Sequence, residues 1–190
     1  NEIFTSRLEK LFTESSEITG DNVSADITGL IGQYAHGNEP SHHIAYMFNH
    51  ANQPWRTQYW ARHIMDTQYN TTPNGLSGNE DCGQMSAWYV LSSIGLYPMN
   101  PASGEYEIGS PIFEKSTIKL PENKTFMIEA EYVSHTNFYI QSATLNGKPF
   151  TKTTLSHQDI LKGGTLHFVM GNKPNKNWGI KNKAQQLTKK

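Results

Sequence analysis

The spacing of apolar residues changes period in the middle of the chain. Before Gly95 they recur three and four residues apart, as on a helix; after Thr117 they fall into short β-branched and aromatic runs. Between the two lies 97–104 (YPMNPASG), a cluster of turn formers that neither period can cross. This break predicts an α+β chain, with a helical region at 1–98 and a β-rich region at 99–190. A few helices and too few strands to close a sandwich do not make a self-contained fold. The simplest reading is a portion of a larger protein. Charge divides at the same place: ten acids and four bases stand in 1–100, seven acids and twelve lysines in 101–190, and the whole chain nets −1. That balance gives no electrostatic reason to expect nucleic acid or an anionic membrane surface.

In the helical region, Ile3, Phe4, Leu8, Leu11 and Phe12 share one helical face. Residues 41–51 (SHHIAYMFNHA) read as a helix capped by Ser41. Pro54 suits a first turn, so 54–69 continues as a longer helix. QMSAWYVLSSIG is an apolar helix ending at Gly95. In the β region, strands are expected at 117–120, 125–133, 137–145 and 165–171, with Asn146-Gly147 as a hairpin turn. The tail after Trp178 (GIKNKAQQLTKK) is basic and polar and is expected to fray. The lone Cys82 excludes a disulfide framework and a multi-cysteine zinc or iron–sulfur centre. No apolar run approaches the roughly 20 residues of a bilayer span, so membrane insertion is not expected. The opening NEIFTSRLEK lacks the shape of a signal peptide, which fits either a cytosolic chain or a piece of something longer.

Two loops concentrate the chemistry. Residues 32–43 (GQYAHGNEPSHH) crowd Asn38, Glu39 and three histidines ahead of the expected helix. A carboxylate beside an amide oxygen suits a hard cation such as Ca²⁺. The plainer alternative is that Glu39 and Ser41 cap the helix and His42 or His43 packs in the core. Zinc on His42 and His43 is disfavoured because adjacent side chains point apart. Residues 75–88 (GLSGNEDCGQMSAW) set Asn79, Glu80 and Asp81 between glycines, where a ligand can come close. Adjacent acids repel, which raises the pKa of one. The alternative here is a solvated turn whose acids complement a helix dipole. Cys82 is discounted as a nucleophile because flanking acids hold its thiol protonated; a small buried residue at a helix start is the expected role. His135, His157 and His167 have no clustered acids and read as structural. Residues 70–72 and 123–125 match the N-glycosylation pattern, which is common by chance. Carboxylates and amides beside Trp and Tyr faces, at the mouths of successive helices, are what a sugar site uses.

HGNEPSHHIAYMFNHANQPWRTQ, PNGLSGNEDCGQMSAWYVLSSIGLYPMNPAS and YEIGSPIF together resemble the C-terminal part of glycoside hydrolase family 92. Its members are calcium-dependent, inverting exo-acting α-mannosidases, found mainly in bacteria. The resemblance is strong over about 29–113 and extends to about 178. It implies the last helices of an (α/α)6 barrel followed by antiparallel strands, and an α-1,2-mannosidase-like hydrolysis of terminal mannose from N-glycans and related oligosaccharides. Asp81 then matches the catalytic base. Asn79 stands where many members carry a second aspartate, leaving Asp81 as the single candidate. The resemblance assigns His36, Glu39, Asn79, Glu80 and Trp88 to the substrate, and Asn38, Glu39 and Asp81 to Ca²⁺. It places the general acid, a glutamate, upstream in the same polypeptide. It also implies a periplasmic, cell-surface or secreted protein. The competing reading is a non-catalytic carbohydrate-binding module.

Overall fold

A computed structural model of the protein describes residues 2–21 and 27–180. The expected frayed tail therefore falls, from residue 181 onward, outside the described residues. The helical region opens with α1 (Glu2–Thr13). The short strands β1 (Leu30–Ile31) and β2 (Tyr34–Ala35) pair antiparallel. Then come α2 (Met47–His50), α3 (Pro54–Gln68) and α4 (Gln84–Ser93). α1 buries Thr5, Leu8 and Phe12, while Ile3 is 76% exposed and Phe4 also faces outward. The buried stripe is therefore narrower than the sequence suggests.

Residues 41–51 do not form one helix. Two 3₁₀ turns, Glu39–Ser41 and Ile44–Tyr46, precede the single turn of α2. The Ser41 hydroxyl turns back to the carbonyls of Ala35 and Asn38, and Ser41 closes the first 3₁₀ turn instead of standing at a helix N-cap. That leaves Glu39 without the regular helix dipole expected behind it.

The second region is built from β3 (Leu96–Tyr97), β4 (Glu105–Ile108), β5 (Lys115–Lys119), β6 (Thr125–Glu131), β7 (Tyr139–Leu145), β8 (Lys148–Pro149), β9 (Thr154–Ser156), α5 (His157–Leu161) and β10 (Gly164–Gly171). One sheet runs β5-β6-β10-β7-β8 and a smaller one β3-β4-β9. Asn146 and Gly147 take φ values of 51° and 74°. That is the doubly left-handed turn that lets β7 fold straight into β8. The strands are not all antiparallel. β10 runs parallel to β6 and antiparallel to β7, because the chain returns through β9 and α5 and slots in between them. Along β6 and β10 alternate residues are buried, Phe126, Ile128 and Ala130 against Leu166, Phe168 and Met170.

The turn at 97–104 links β3 to β4, and the two cores interleave around it: Ile94 and Leu96 pack with the sheet core, Tyr97, Met99 and Ile112 with the helical one. The seam between them is polar. Asn49 and His50 each donate at 2.8 Å to the buried Glu107 carboxylate. Arg62 reaches the carbonyls of Pro111 and Ser134, and Gln58 accepts from the Ile140 amide. Paired charges and amides of this kind fix one relative placement, since any slip leaves a buried group unsatisfied.

Candidate functional site

The two loops singled out in the sequence meet. A Cβ on Gly37 would lie 2.1 Å from Thr28 Oγ1 and 2.7 Å from the Ser77 carbonyl; one on Gly78 would lie 2.7 Å from the same Thr28 oxygen and 3.1 Å from the Gly37 carbonyl. Only residues without side chains allow this backbone-on-backbone approach. It sets Asn38 and Glu39 beside Asn79, Glu80 and Asp81. All five are exposed.

Asp81 and Glu39 stand within hydrogen-bonding reach of each other. The Asp81 carboxyl is held above the ordinary aspartate range. Lost hydration is the first cause, followed by the hydrogen bond to Glu39 and repulsion from Glu39 and Glu80. Two carboxyls in contact are too close to be the acid and base of an inverting glycosidase, which stand roughly 6.5–9.5 Å apart to admit water.

The backbone at Asp81 is unusual. Asp81, Cys82 and Gly83 have φ of 51°, 55° and 91°, three left-handed residues in a row. This turn delivers the chain into α4 and projects Asp81 outward. Cys82 is exposed, not the small buried residue expected, because the left-handed turn swings it away from the core. Glu80 faces the helix: its two carboxylate oxygens accept from the Ser86 amide at 2.9 Å and the Ser86 hydroxyl at 2.8 Å. Both oxygens hold the first turn of α4, which fixes the orientation of an exposed carboxylate that keeps lone pairs for further donors.

Beneath the carboxylates lies a layer of buried rings. His36 is fully buried. Its Nδ1 is 2.8 Å from the Tyr34 hydroxyl and its Nε2 is 2.6 Å from the Tyr69 hydroxyl. Tyr69 donates to the Met85 carbonyl, so it accepts from His36 Nε2–H, and Tyr34 donates to Nδ1. Burial, then the nearby His42, pushes the His36 pKa down to about 3. The ring is neutral whenever the protein is folded near neutrality. His42 is also buried and its pKa is lowered, chiefly by burial. Its Nε2–H donates to the His36 carbonyl at 2.9 Å, and its Nδ1 accepts from Gln84 at 3.0 Å. Trp88, wholly buried, donates from its indole to the His42 carbonyl and stacks parallel to Tyr69. His36 and Trp88 therefore support the site from below. With no exposed surface they do not take the direct sugar contacts expected of them. His43, by contrast, is exposed, so the two adjacent histidines do point apart.

The oxygen donors Asn38, Glu39 and Asp81 are of the kind a hard cation takes. Among the described residues, no group of three or more His, Cys, Asp or Glu gathers around a common metal position. In the β region, His157 hydrogen-bonds Tyr106 and His167 pairs with Glu131 at 3.4 Å, while His135 is exposed. Sequence reasoning missed Tyr34, Tyr69 and Gln84. Their only sequence signal is a helical spacing or loop position that many unrelated residues share.

Exposed carboxylates thus stand in the same two loops as a layer of buried, hydrogen-bonded rings. The model of the glycosyl hydrolase family 92 catalytic domain matches residues 1–172, and the chain belongs to this family. It superposes on the family GH92 α-mannosidase of Bacteroides thetaiotaomicron with a TM-score of 0.86 at 44% identity, covering 95% of this chain and 24% of that one. A structure of the same enzyme in complex with mannoimidazole gives a TM-score of 0.88. The family GH92 inverting mannosidase of Bacteroides thetaiotaomicron VPI-5482 gives 0.81 at 38% identity, covering 95% of this chain and 25% of that one. A curated relative from Arthroderma benhamiae, described as an uncharacterized secreted glycosidase, is 37% identical over 146 residues, 75% of this chain and 19% of that protein. The chain thus spans about a quarter or less of the length of these relatives.

Proposed function

We propose that the chain forms part of the catalytic domain of an exo-acting α-mannosidase that releases terminal α-linked mannose with inversion. The helical region would be the last part of an (α/α)6 barrel, divided near residue 98 from the β-rich region. The observation that carries this reading is the close approach of the two loops at Gly37 and Gly78, which sets Asp81 within reach of Glu39. It joins the two specific loops in a fold that matches relatives named as mannosidases.

In this reading Asp81 is the general base. It takes a proton from the water that attacks the anomeric carbon on the face opposite the leaving group. A pKa raised above the usual aspartate range makes its carboxylate a stronger proton acceptor. The general acid would come from the remainder of the polypeptide, since Glu39 stands too close to Asp81. Asn79 would meet sugar hydroxyls. Asn38, Glu39 and Asp81 would hold Ca²⁺, with further ligands from water, sugar or the rest of the polypeptide. Bound calcium would supply Lewis-acid orientation of sugar hydroxyls. His36 and Trp88 keep the floor rigid and dry. A secreted setting is supported by the name of the Arthroderma benhamiae relative, and a periplasmic or cell-surface one by the family resemblance alone. No helix among the described residues is long and apolar enough to cross a membrane.

The test is hydrolysis of dinitrophenyl α-mannoside by the full-length gene product, with calcium and then with excess chelator, while the first anomer released is followed by NMR. Calcium-dependent release of β-mannose is expected. Release of α-mannose first would contradict inversion. Mannose binding with no turnover would favour a carbohydrate-binding module.

A further inference from the structure

We infer that Gln84 is a positioning residue for Asp81, acting through His42. The inference rests on the assignment of Asp81 as base and goes beyond it. Three consecutive left-handed residues, two of them not glycine, are a conformation the chain does not hold unaided. The contacts on either side of the turn must hold it. Ahead of it, Glu80 is tied to Ser86 of α4. After it comes Gln84, the first residue of α4, whose amide N–H donates to the Asp81 carbonyl at 3.1 Å.

The Gln84 side chain crosses to the other loop. His42 spends its single ring proton on the His36 carbonyl, so His42 Nδ1 is a bare acceptor. Only a donor satisfies it, and the Gln84 carboxamide supplies one at 3.0 Å. His36 in turn is pinned on both ring nitrogens by Tyr34 and Tyr69. A continuous line of hydrogen bonds therefore runs from the buried rings through His42 and Gln84 to the residue that carries the base. His42 lies three residues after Glu39, and Gln84 lies three residues after Asp81. The bond between them thus sets how the two carboxyls face each other. A general base works only within hydrogen-bond reach of the water it deprotonates, and a displacement of about 1 Å can cost on the order of 100-fold in rate.

The experiment uses the full-length enzyme carrying Gln84→Met, which keeps the length and helix preference of the side chain but cannot donate, beside Asp81→Asn. The expected result for Gln84→Met is a kcat lowered roughly 10- to 100-fold. KM for dinitrophenyl α-mannoside should stay within about twofold, and Tm within a few degrees. Adding His42→Phe to Gln84→Met should lower kcat little further, because the two residues act through one bond. An unchanged kcat in Gln84→Met, or a fall in activity that tracks a fall in Tm, overturns the inference. The parallel variant separates the two claims. Near-normal turnover in Asp81→Asn removes the base assignment itself. Collapsed turnover in Asp81→Asn beside normal turnover in Gln84→Met removes only the role of Gln84.

Discussion

The sheet region and the helical region bury comparable numbers of side chains in opposite ways. Around β6, β7 and β10 the interior is aliphatic and phenyl, from Ile128 and Ile140 to Phe126 and Phe168. Around α3 and α4 side chains such as Phe12, Phe48, Ile64 and Met65 are joined by buried rings that carry polar atoms: Tyr34, His36, His42, Tyr46, Trp60 and Trp88. The first kind of core is held by volume and exclusion of water. The second is held by hydrogen bonds whose direction matters, such as Tyr46 to Ser92 at 2.8 Å and Trp88 to the His42 carbonyl at 3.1 Å. A non-directional core leaves the exact placement of a surface loop loose; a directional one fixes it. The exposed carboxylates stand over the second kind.

This contrast is open to measurement. The largest effect on stability is expected from the sheet core. Phe168→Ala removes a wholly buried ring and should cost about 3–5 kcal/mol, read by denaturant or thermal unfolding. A volume-conserving change such as Ile128→Leu should cost under about 1.5 kcal/mol. Equal costs for the two would mean that volume does not govern this core.

Gly37→Ala comes next. Its new methyl would be driven against the Ser77 carbonyl at 2.7 Å, and the loops must part to admit it. A loss of about 1–3 kcal/mol is expected, with a fall in activity larger than any sheet substitution of the same stability cost produces. Activity that follows stability equally in both regions would erase the distinction drawn between them.

The smallest effect is set by pH. The folded pKa of His36 is about 3, below its ordinary value of 6.5. Between those values the unfolded chain binds a proton that the folded one does not, so stability falls as pH drops below about 6.5. From this residue alone, about 1–2 kcal/mol should be lost between pH 6.5 and 5. A Tm that declines over that interval, with the slope flattened in His36→Gln, is the expected result. A flat Tm in the natural protein would mean that His36 is not buried as described.

Much of this was legible beforehand, and the gaps have physical causes. α1, α3 and α4 follow from three- and four-residue spacing, and the β7–β8 hairpin from Asn146-Gly147. Both functional loops were marked by glycines around carboxylates. The sequence could not show that Gly37 and Gly78 touch, since that contact joins residues forty-one positions apart. It misjudged 41–51 because Ser41 turns its hydroxyl back onto the preceding loop. It placed Trp88 and His36 against the sugar because a ring that stacks on a ligand and a ring that supports the floor beneath it have the same sequence signature. The parallel pairing of β10 with β6 depends on where a later segment returns, which no local pattern encodes.

The central claim is that the two loops make one site in which Asp81 and Glu39 act together. A double-mutant cycle on the full-length enzyme tests it most directly: kcat/KM is measured for Asp81→Asn, Glu39→Gln and the pair. If the carboxyls act as a unit, the pair should be little worse than Asp81→Asn alone, with a coupling free energy of about 1 kcal/mol or more. Single effects that simply multiply in the pair would contradict the claim and separate the two loops.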